Sequence, residues 1–307
     1  MNRKNNPLLR GLGLVLIAGC TGDLTSQRDA ESTPTLAAVA RDTAFVVAAG
    51  DIAGCASGYE DEATATIIKR YPKAQVLALG DNAYPDGTAA NYRCYNASWG
   101  AFKSRTHPVP GNHEYYAVGQ TAGAGYYGYF GAAAGDPAKG YYVYKVGSWR
   151  IYALNSEIST SATSAQVKWL KADLAAHPTR CILAYWHRPL FTSGAVHAGK
   201  LGLKPLWSAL QAAGAEIVLS AHNHHYERFA AQTAEGSPNR GIREFVAGGG
   251  GHGTLYAFRA TPAPNSQKRY KGHGVLLLGL YPGGYTWKHL ALPGSTFKDA
   301  GSGACSS

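Results

Sequence analysis

Short apolar runs that each end in a polar, metal-capable segment are the feature that most constrains this 307-residue chain. These segments, here called islands, are Gly50-Asp51, Gly80 to Tyr84, Gly111 to Glu114, Trp186 to Pro189 and Ala221 to His224. Short apolar runs bounded by turn residues are typical of buried strands. A fold in which the ends of these strands meet brings carboxylates, an amide, a phenol and imidazoles to one place, and such a set suits a pair of cations.

The order of the remaining segments predicts an α/β protein. Strands are expected at 44–49, 75–79, 182–185 and 216–220, with helices at 62–71, 164–176 and 205–213. Strands that alternate with helices carry their functional residues at the carboxyl ends of the strands. After residue 243, strand-like runs at 243–247, 274–281 and 285–292 are separated by Gly and Pro turns. They predict a hairpin through 282–284 and a second sheet against the first.

The N-terminal segment has the pattern of an export signal. Arg3, Lys4 and Arg10 precede an uncharged run at 11–19, and Cys20 follows Ile17-Ala18-Gly19 in a sequence that resembles the bacterial lipoprotein processing box. We expect a signal peptide at 1–19, a flexible tether at 20–40, one catalytic domain at 41–295 and a tail at 296–307. The protein is then a cell-envelope lipoprotein held to the membrane by a lipid on Cys20. Ordinary signal cleavage, giving a periplasmic or secreted protein, is the alternative.

Charge indicates the kind of ligand only weakly. The formal net charge of +10 favours anionic partners. Lys and Arg form no run beyond the first ten residues, which argues against a dedicated nucleic-acid groove.

Four cysteines remain after Cys20, an even number for an exported protein. They allow three pairings, of which we favour Cys55–Cys94 beside the islands and Cys181–Cys305 at the tail. Free buried thiols are the alternative.

The islands divide into two sets of ligands that share one carboxylate. Asp81 is the natural bridge between two cations. The other members of the first set are Asp51, Tyr84 and His224, and those of the second are Asn112, His187 and His222.

In order and spacing the islands are similar to those of the calcineurin-like metallophosphoesterases, and more closely to those of the purple acid phosphatase branch. Most of the family follows the first Asp with a ligand His two residues on, where this chain has Ala53. Purple acid phosphatases lack that His and have a Tyr three residues after the second Asp, where Tyr84 stands. Ala221, in place of the usual Gly, and His225, in place of Ala, depart from the pattern.

The resemblance implies a four-layer α/β/β/α sandwich of two mixed sheets flanked by helices. It also implies Fe(III) at the site of Asp51, Asp81, Tyr84 and His224, and Fe(II), Zn(II) or Mn(II) at the site of Asp81, Asn112, His187 and His222.

The expected function is hydrolysis of small phosphate monoesters by hydroxide formed at the metals. His113 is the first candidate for the proton donor, oriented by Glu114, and His197 is the second. A phosphodiesterase or nuclease with the same metals remains an alternative, as does a non-catalytic surface lipoprotein that binds metal or phosphate. His252 is expected to be a surface or structural residue, and Arg188 is left outside the predicted site.

Overall fold

The computed structural model describes residues 42–306. The expected signal peptide, the tether with Cys20 and the final Ser307 lie outside these residues. The strands are β1 (Ala44–Ala49), β2 (Ala53–Gly54), β3 (Gln75–Leu79), β4 (Ala83–Tyr84), β5 (Thr106–Val109), β6 (Tyr142–Val146), β7 (Trp149–Ala153), β8 (Ile182–Tyr185), β9 (Ile217–Ser220), β10 (Tyr226–Phe229), β11 (Arg243–Ala247), β12 (Ser266–Tyr270), β13 (Gly274–Tyr281), β14 (Gly284–Ala291) and β15 (Ala300–Ala304). The α-helices are α1 (Asp61–Lys69), α2 (Ala89–Ser98), α3 (Ala124–Phe130), α4 (Ala165–Ala176) and α5 (Lys204–Ala212). Short 3₁₀ helices cover Trp99–Arg105, His113–Tyr115, Gly131–Ala134 and Leu201–Leu203.

Two mixed sheets form the centre of the fold. The first has six strands in the order β15-β14-β13-β1-β3-β5, and the second has seven in the order β12-β10-β11-β9-β8-β7-β6. Strands β1, β3 and β5 run parallel in the first sheet, as do β7, β8, β9 and β11 in the second. Their carboxyl ends carry the islands, so the topology brings the polar segments to one edge of the sandwich.

Three apolar cores separate four layers. Alternate residues of β1 face opposite ways: Val46 joins the core between the two sheets, and Val47 joins the core under α1, α2 and α3. On the far side of the second sheet, Leu170 of α4 and Leu210 of α5 pack against β8 and β9. The α/β/β/α sandwich expected from the sequence is therefore confirmed.

Local sequence explains where two of the helices begin. The side chain of Thr88 accepts a hydrogen bond from the backbone N–H of Asn91, and the Asn91 Oδ1 atom accepts one from the backbone N–H of Thr88; this capping box starts α2. Ser164 caps α4 through the N–H of Val167, as its position before the helical pattern predicts.

The C-terminal segment is more ordered than the predicted tail. Residues Ala300–Ala304 form β15, which pairs antiparallel with β14, and Cys305 is bonded to Cys181. Among the residues that the structure describes, part of the expected tail at 296–307 is thus an ordered strand. Both favoured disulfides, Cys55–Cys94 and Cys181–Cys305, are present. Between residues 42 and 306 there is no helix with the length and apolar character needed to cross a membrane.

Candidate metal centre

Backbone hydrogen bonds lock the ends of the motif strands to one another. The N–H of Asp51 donates to Gly80 O at 3.1 Å, and the N–H of Ala221 donates to His187 O at 2.7 Å. A further bond joins the two sheets, because the N–H of His222 donates to Asp51 Oδ2 at 2.8 Å. The islands of both sheets are thus held in one cluster.

Three of the candidate ligands have strained backbone conformations. Asp51, Asp81 and His222 have φ values of 59°, 49° and 67°. This left-handed region costs a non-glycine residue of order 1 kcal/mol, and such residues concentrate at functional sites. Gly111 is needed for a different reason, since a Cβ there would lie 2.2 Å from Asp81 Oδ1. Backbone strain and close packing thus set the direction of these side chains.

The first set of predicted ligands converges around the phenol oxygen of Tyr84. The Tyr84 hydroxyl lies 2.9 Å from Asp51 Oδ1, 3.1 Å from Asp81 Oδ2 and 3.2 Å from His224 Nε2. All four residues are buried. Burial and the two neighbouring carboxylates raise the pKa of Tyr84 well above its usual value. The Tyr84 hydroxyl has one hydrogen and can donate it to only one of the two carboxylates at a time. A cation could interact with all of these oxygens together.

The second set of predicted ligands lies on the other side of Asp81. His187 Nε2 is 3.1 Å from Asp81 Oδ2 and 3.2 Å from His222 Nδ1. Candidate ligand atoms of these three buried residues all lie within 4.8 Å of one another. The Oδ1 atom of Asn112 is buried with no hydrogen-bond partner, and its Nδ2 donates to Tyr116. Asn112 directly precedes His113, whose N–H donates to Asp81 Oδ1, and an unpartnered buried carbonyl oxygen at that place fits a metal ligand.

The charges within this cluster depend on one another. Burial opposes the ionised form of Asp81, but the positive charge on His187 outweighs it and lowers the Asp81 pKa. Burial likewise opposes charge on His187, yet Asp81 raises the His187 pKa to about 10. Because ligand histidines must be neutral, a metal bound here would replace the proton of His187. The shared atom, Asp81 Oδ2, faces both sets of ligands, as a bridging carboxylate would.

The structure assigns Glu114 different neighbours from those expected. The His113 ring lies against Tyr84 with 4.4 Å between ring centroids, its Nδ1 faces Pro85 O and its Nε2 is 3.8 Å from Asp81 Oδ2. Glu114 is buried beneath the islands, and its carboxylate accepts hydrogen bonds from backbone N–H groups on both sides. The prediction that Glu114 orients His113 is therefore wrong. The carboxylate positions the loops that carry the candidate ligands.

His197, the second candidate for the proton donor, lies against the cluster. Its ring stacks on that of His222 at a centroid distance of 4.1 Å. Tyr256 stacks on His224 at 4.1 Å and lies 5.2 Å from the His197 ring. Tyr256, which is distant from both histidines in the chain, therefore forms part of the wall of the site.

His252 and Arg188 also border the candidate centre, although the sequence reading left both outside. The His252 ring is 4.2 Å from that of Tyr84 and 4.3 Å from that of His224. Arg188 Nη1 is 2.9 Å from His222 Nε2. The glycine run at 248–251 was the available signal for His252, because it lets the loop approach closely. Arg188 directly follows a predicted ligand, and that adjacency was its signal.

Comparisons with known proteins agree with the fold. Residues 21–226 match the family model described as calcineurin-like phosphoesterase. Purple acid phosphatase 22 of Arabidopsis thaliana is 30% identical over 145 residues, which are 44% of this chain and 33% of that protein. The match thus spans about a third of the length of that curated relative.

Two solved structures share the fold at low sequence identity. The purple acid phosphatase PPD1 from yellow lupin (Lupinus luteus) seeds superposes with a TM-score of 0.69 and 18% identity, over 85% of this chain and 54% of that one. GAP50, the anchor in the inner membrane complex of Plasmodium, superposes with a TM-score of 0.63 and 11% identity, over 86% of this chain and 90% of that one.

Proposed function

The chain belongs to the calcineurin-like phosphoesterase family, and from that premise we propose that it is a dinuclear metal-dependent phosphatase that hydrolyses small phosphate monoesters. The observation that carries the proposal is Asp81 Oδ2, which lies 3.1 Å from the Tyr84 hydroxyl and 3.1 Å from His187 Nε2. One carboxylate between two sets of buried donors is what a metal pair requires.

The donor types support a different metal in each half. A phenol and two carboxylates are hard, anionic ligands that suit Fe(III), held by Asp51, Asp81, Tyr84 and His224. The second half has two imidazoles and a neutral amide beside the shared Asp81, which suits Fe(II), Zn(II) or Mn(II), held by Asp81, Asn112, His187 and His222. When bound, such a pair supplies Lewis acidity that activates water and withdraws charge from phosphoryl oxygens.

Two histidines at the rim supply the proton that the leaving alkoxide needs. His113 lies on the Tyr84 side and is partly exposed, with 27% of its side chain accessible. His197 lies on the His222 side. An imidazole within reach of a leaving oxygen is a suitable general acid near neutral pH. We assign the main role to His113 and the second to His197.

The test is turnover of p-nitrophenyl phosphate and of its bis ester by protein loaded with iron and zinc or manganese. A monoester phosphatase hydrolyses the first substrate faster, whereas preference for the bis ester would indicate a phosphodiesterase or nuclease. Full metal content without turnover of either ester would make the protein a non-catalytic binding module. Fold alone does not separate these outcomes, since an anchor protein shares it.

We also propose that the protein is exported and tethered to the cell envelope through a lipid on Cys20. Two disulfides fit an oxidising compartment. Labelling with a radioactive fatty acid is expected to mark the wild type and not Cys20→Ala. Persistence of the label in that variant would contradict the lipid anchor and leave the phosphatase proposal untouched.

A further inference from the structure

A partly exposed guanidinium lies beside the second set of candidate ligands. Arg188 Nε lies 3.0 and 2.9 Å from the two carboxylate oxygens of Glu157. The Glu157 side chain is 10% exposed and that of Arg188 is 26% exposed. One edge of the guanidinium is thus held by protein, and another edge is open.

The Glu157–Arg188 pair is rigidly mounted. The backbone N–H of Arg188 donates to Ser156 Oγ at 3.0 Å, and the Ser156 hydroxyl donates to Glu157 Oε1 at 2.7 Å. The ammonium of Lys200 donates to the carbonyl oxygen of Ser156. These bonds join the loop after β7 to the loop after β8, so the position of the guanidinium is set before any ligand arrives. A group held in place loses less entropy when it binds.

The open edge of Arg188 points toward the candidate centre. Nη1 lies 2.9 Å from His222 Nε2, while the Nδ1 atom of the same ring faces His187. Among the described residues, Nη2 has no protein acceptor. When Nδ1 of His222 is taken by a cation, Nε2 keeps the hydrogen of the ring, and two donors then face each other. Nη1 therefore needs a different acceptor, and an anionic oxygen bound at the centre supplies one.

We propose that Arg188 binds the phosphoryl oxygen that is free in a monoester and alkylated or arylated in a diester, and so makes the site selective for monoesters. This inference rests on the proposed phosphatase function. A monoester dianion offers three unesterified oxygens, whereas a diester offers two. If the two cations held by the candidate ligands took two of these oxygens, the third would remain as the acceptor that the guanidinium requires. With a diester, Arg188 would face an ester oxygen and lose its charged acceptor, which is a strong basis for discrimination.

Glu157 is a positioning residue in this arrangement. Its two carboxylate oxygens accept hydrogen bonds from Arg188 Nε, which keeps the guanidinium from turning to solvent. If the ion pair only held the two loops together, its loss would change the hydrolysis of both esters equally. The two roles therefore differ in their effect on substrate preference and on phosphate binding.

The decisive experiment compares Arg188→Lys with the wild type, because a lysine keeps a charge against Glu157 but loses the planar fork. The ratio of kcat/KM for p-nitrophenyl phosphate to that for its bis ester is expected to fall by about 10-fold to 100-fold, and the inhibition constant of inorganic phosphate to rise by a similar factor. Metal content is expected to stay full. Arg93→Gln, which removes an exposed arginine from α2, is the matched control.

A double-mutant cycle tests the positioning role. As a single substitution, Glu157→Gln is expected to raise the inhibition constant of inorganic phosphate. In the Arg188→Gln background it is expected to raise that constant little further, because the two residues act through one guanidinium. The double variant also removes both charges together, so that no partner is left buried and unpaired.

Equal losses for both esters, or an unchanged phosphate constant in Arg188→Lys, would overturn the role of Arg188. If the wild type turns over neither ester, the proposed function fails instead. Calorimetric binding of inorganic phosphate to the metal-loaded protein still decides the question for Arg188 in that case, since weaker binding in the variant supports the contact and equal binding refutes it.

Discussion

Replacement of Glu114 tests whether its carboxylate has a structural or a catalytic role. Its Oε2 accepts the N–H of Gly111 at 2.7 Å and that of Asp81 at 2.9 Å. Its Oε1 accepts the N–H of Asn82 at 2.8 Å and the hydroxyl of Tyr92 at 3.2 Å. In Glu114→Gln, the amide NH₂ faces two backbone donors whichever way it is turned, because Oε1 also accepts the N–H of Ala83.

The expected cost follows from the number of bonds lost. Glu114 Oε2 faces two backbone donors, and Oε1 faces those of Asn82 and Ala83, the latter at 3.3 Å. A hydrogen bond to a charged group contributes about 1.5–3 kcal/mol, so losing two costs about 3–6 kcal/mol. Burial raises the pKa of Glu114, which means that the ionised side chain already carries a desolvation penalty that the amide removes. We therefore expect a net loss of about 3 kcal/mol in the free energy of unfolding.

Urea unfolding and metal analysis together measure this effect. Glu114→Gln is expected to unfold at lower urea and to bind less than two metals, because its carboxylate holds the loops that carry Asp81 and Asn112. Glu62→Gln, on the exposed first turn of α1, is the control and is expected to change stability by less than about 0.5 kcal/mol. A variant as stable as the wild type, with full metal and impaired turnover alone, would refute this reasoning and restore the catalytic role.

The remaining predictions test single groups. His113→Gln is expected to lower kcat for monoesters by about 100-fold with full metal content, and joint loss of metal would make His113 structural. Tyr84→Phe is expected to abolish a broad visible absorption band in the iron-loaded protein, whereas an active, colourless wild type would refute ferric iron. Burial lowers the pKa of His289 to about 3, so its contribution to stability is complete above its ordinary pKa and is lost as the pH falls below that value. Between about pH 7 and about pH 5 this loss is about 2 kcal/mol in urea unfolding, and His289→Phe is expected to remove it. Replacing Cys181 and Cys305 by Ala is expected to lower the free energy of unfolding by about 3–5 kcal/mol, because the bridge spans 124 residues, and unchanged urea midpoints would contradict that.

Patterns that depend on neighbouring residues were readable from the sequence. The apolar runs at 44–49, 75–79 and 182–185 form strands with the predicted bounds, since short apolar runs bounded by turn residues are typical of strands buried on both faces. Ser164 marks the start of α4 because a helix cap is a local hydrogen bond.

Strand pairings that depend on distant partners were not readable. The Ala-Gly-Ser-Gly-Ala sequence of β15 has no strand character of its own, and it is ordered by pairing with β14 and by the disulfide at Cys305. Strands β6 and β7 likewise went unpredicted, although Trp149 and Ile151 of β7 are buried in the central core. Strand β7 is placed in the second sheet by pairing with β8, and β6 by pairing with β7.

For the site, the sequence by itself determined which side chains are available. It gives the islands and their order, a tyrosine at Tyr84, and no histidine at position 53, where Ala53 stands. Ligand chemistry is a property of residue type, and parallel strands within one sheet place such residues along the same edge. The stacking of the two sheets then brought the two edges together. Tertiary structure alone decided what surrounds them. It buried Glu114 under the loops, brought His252 and Tyr256 against the cluster, and clamped Arg188 with Glu157. These contacts join residues far apart in the chain, and their geometry follows from packing rather than from any local pattern.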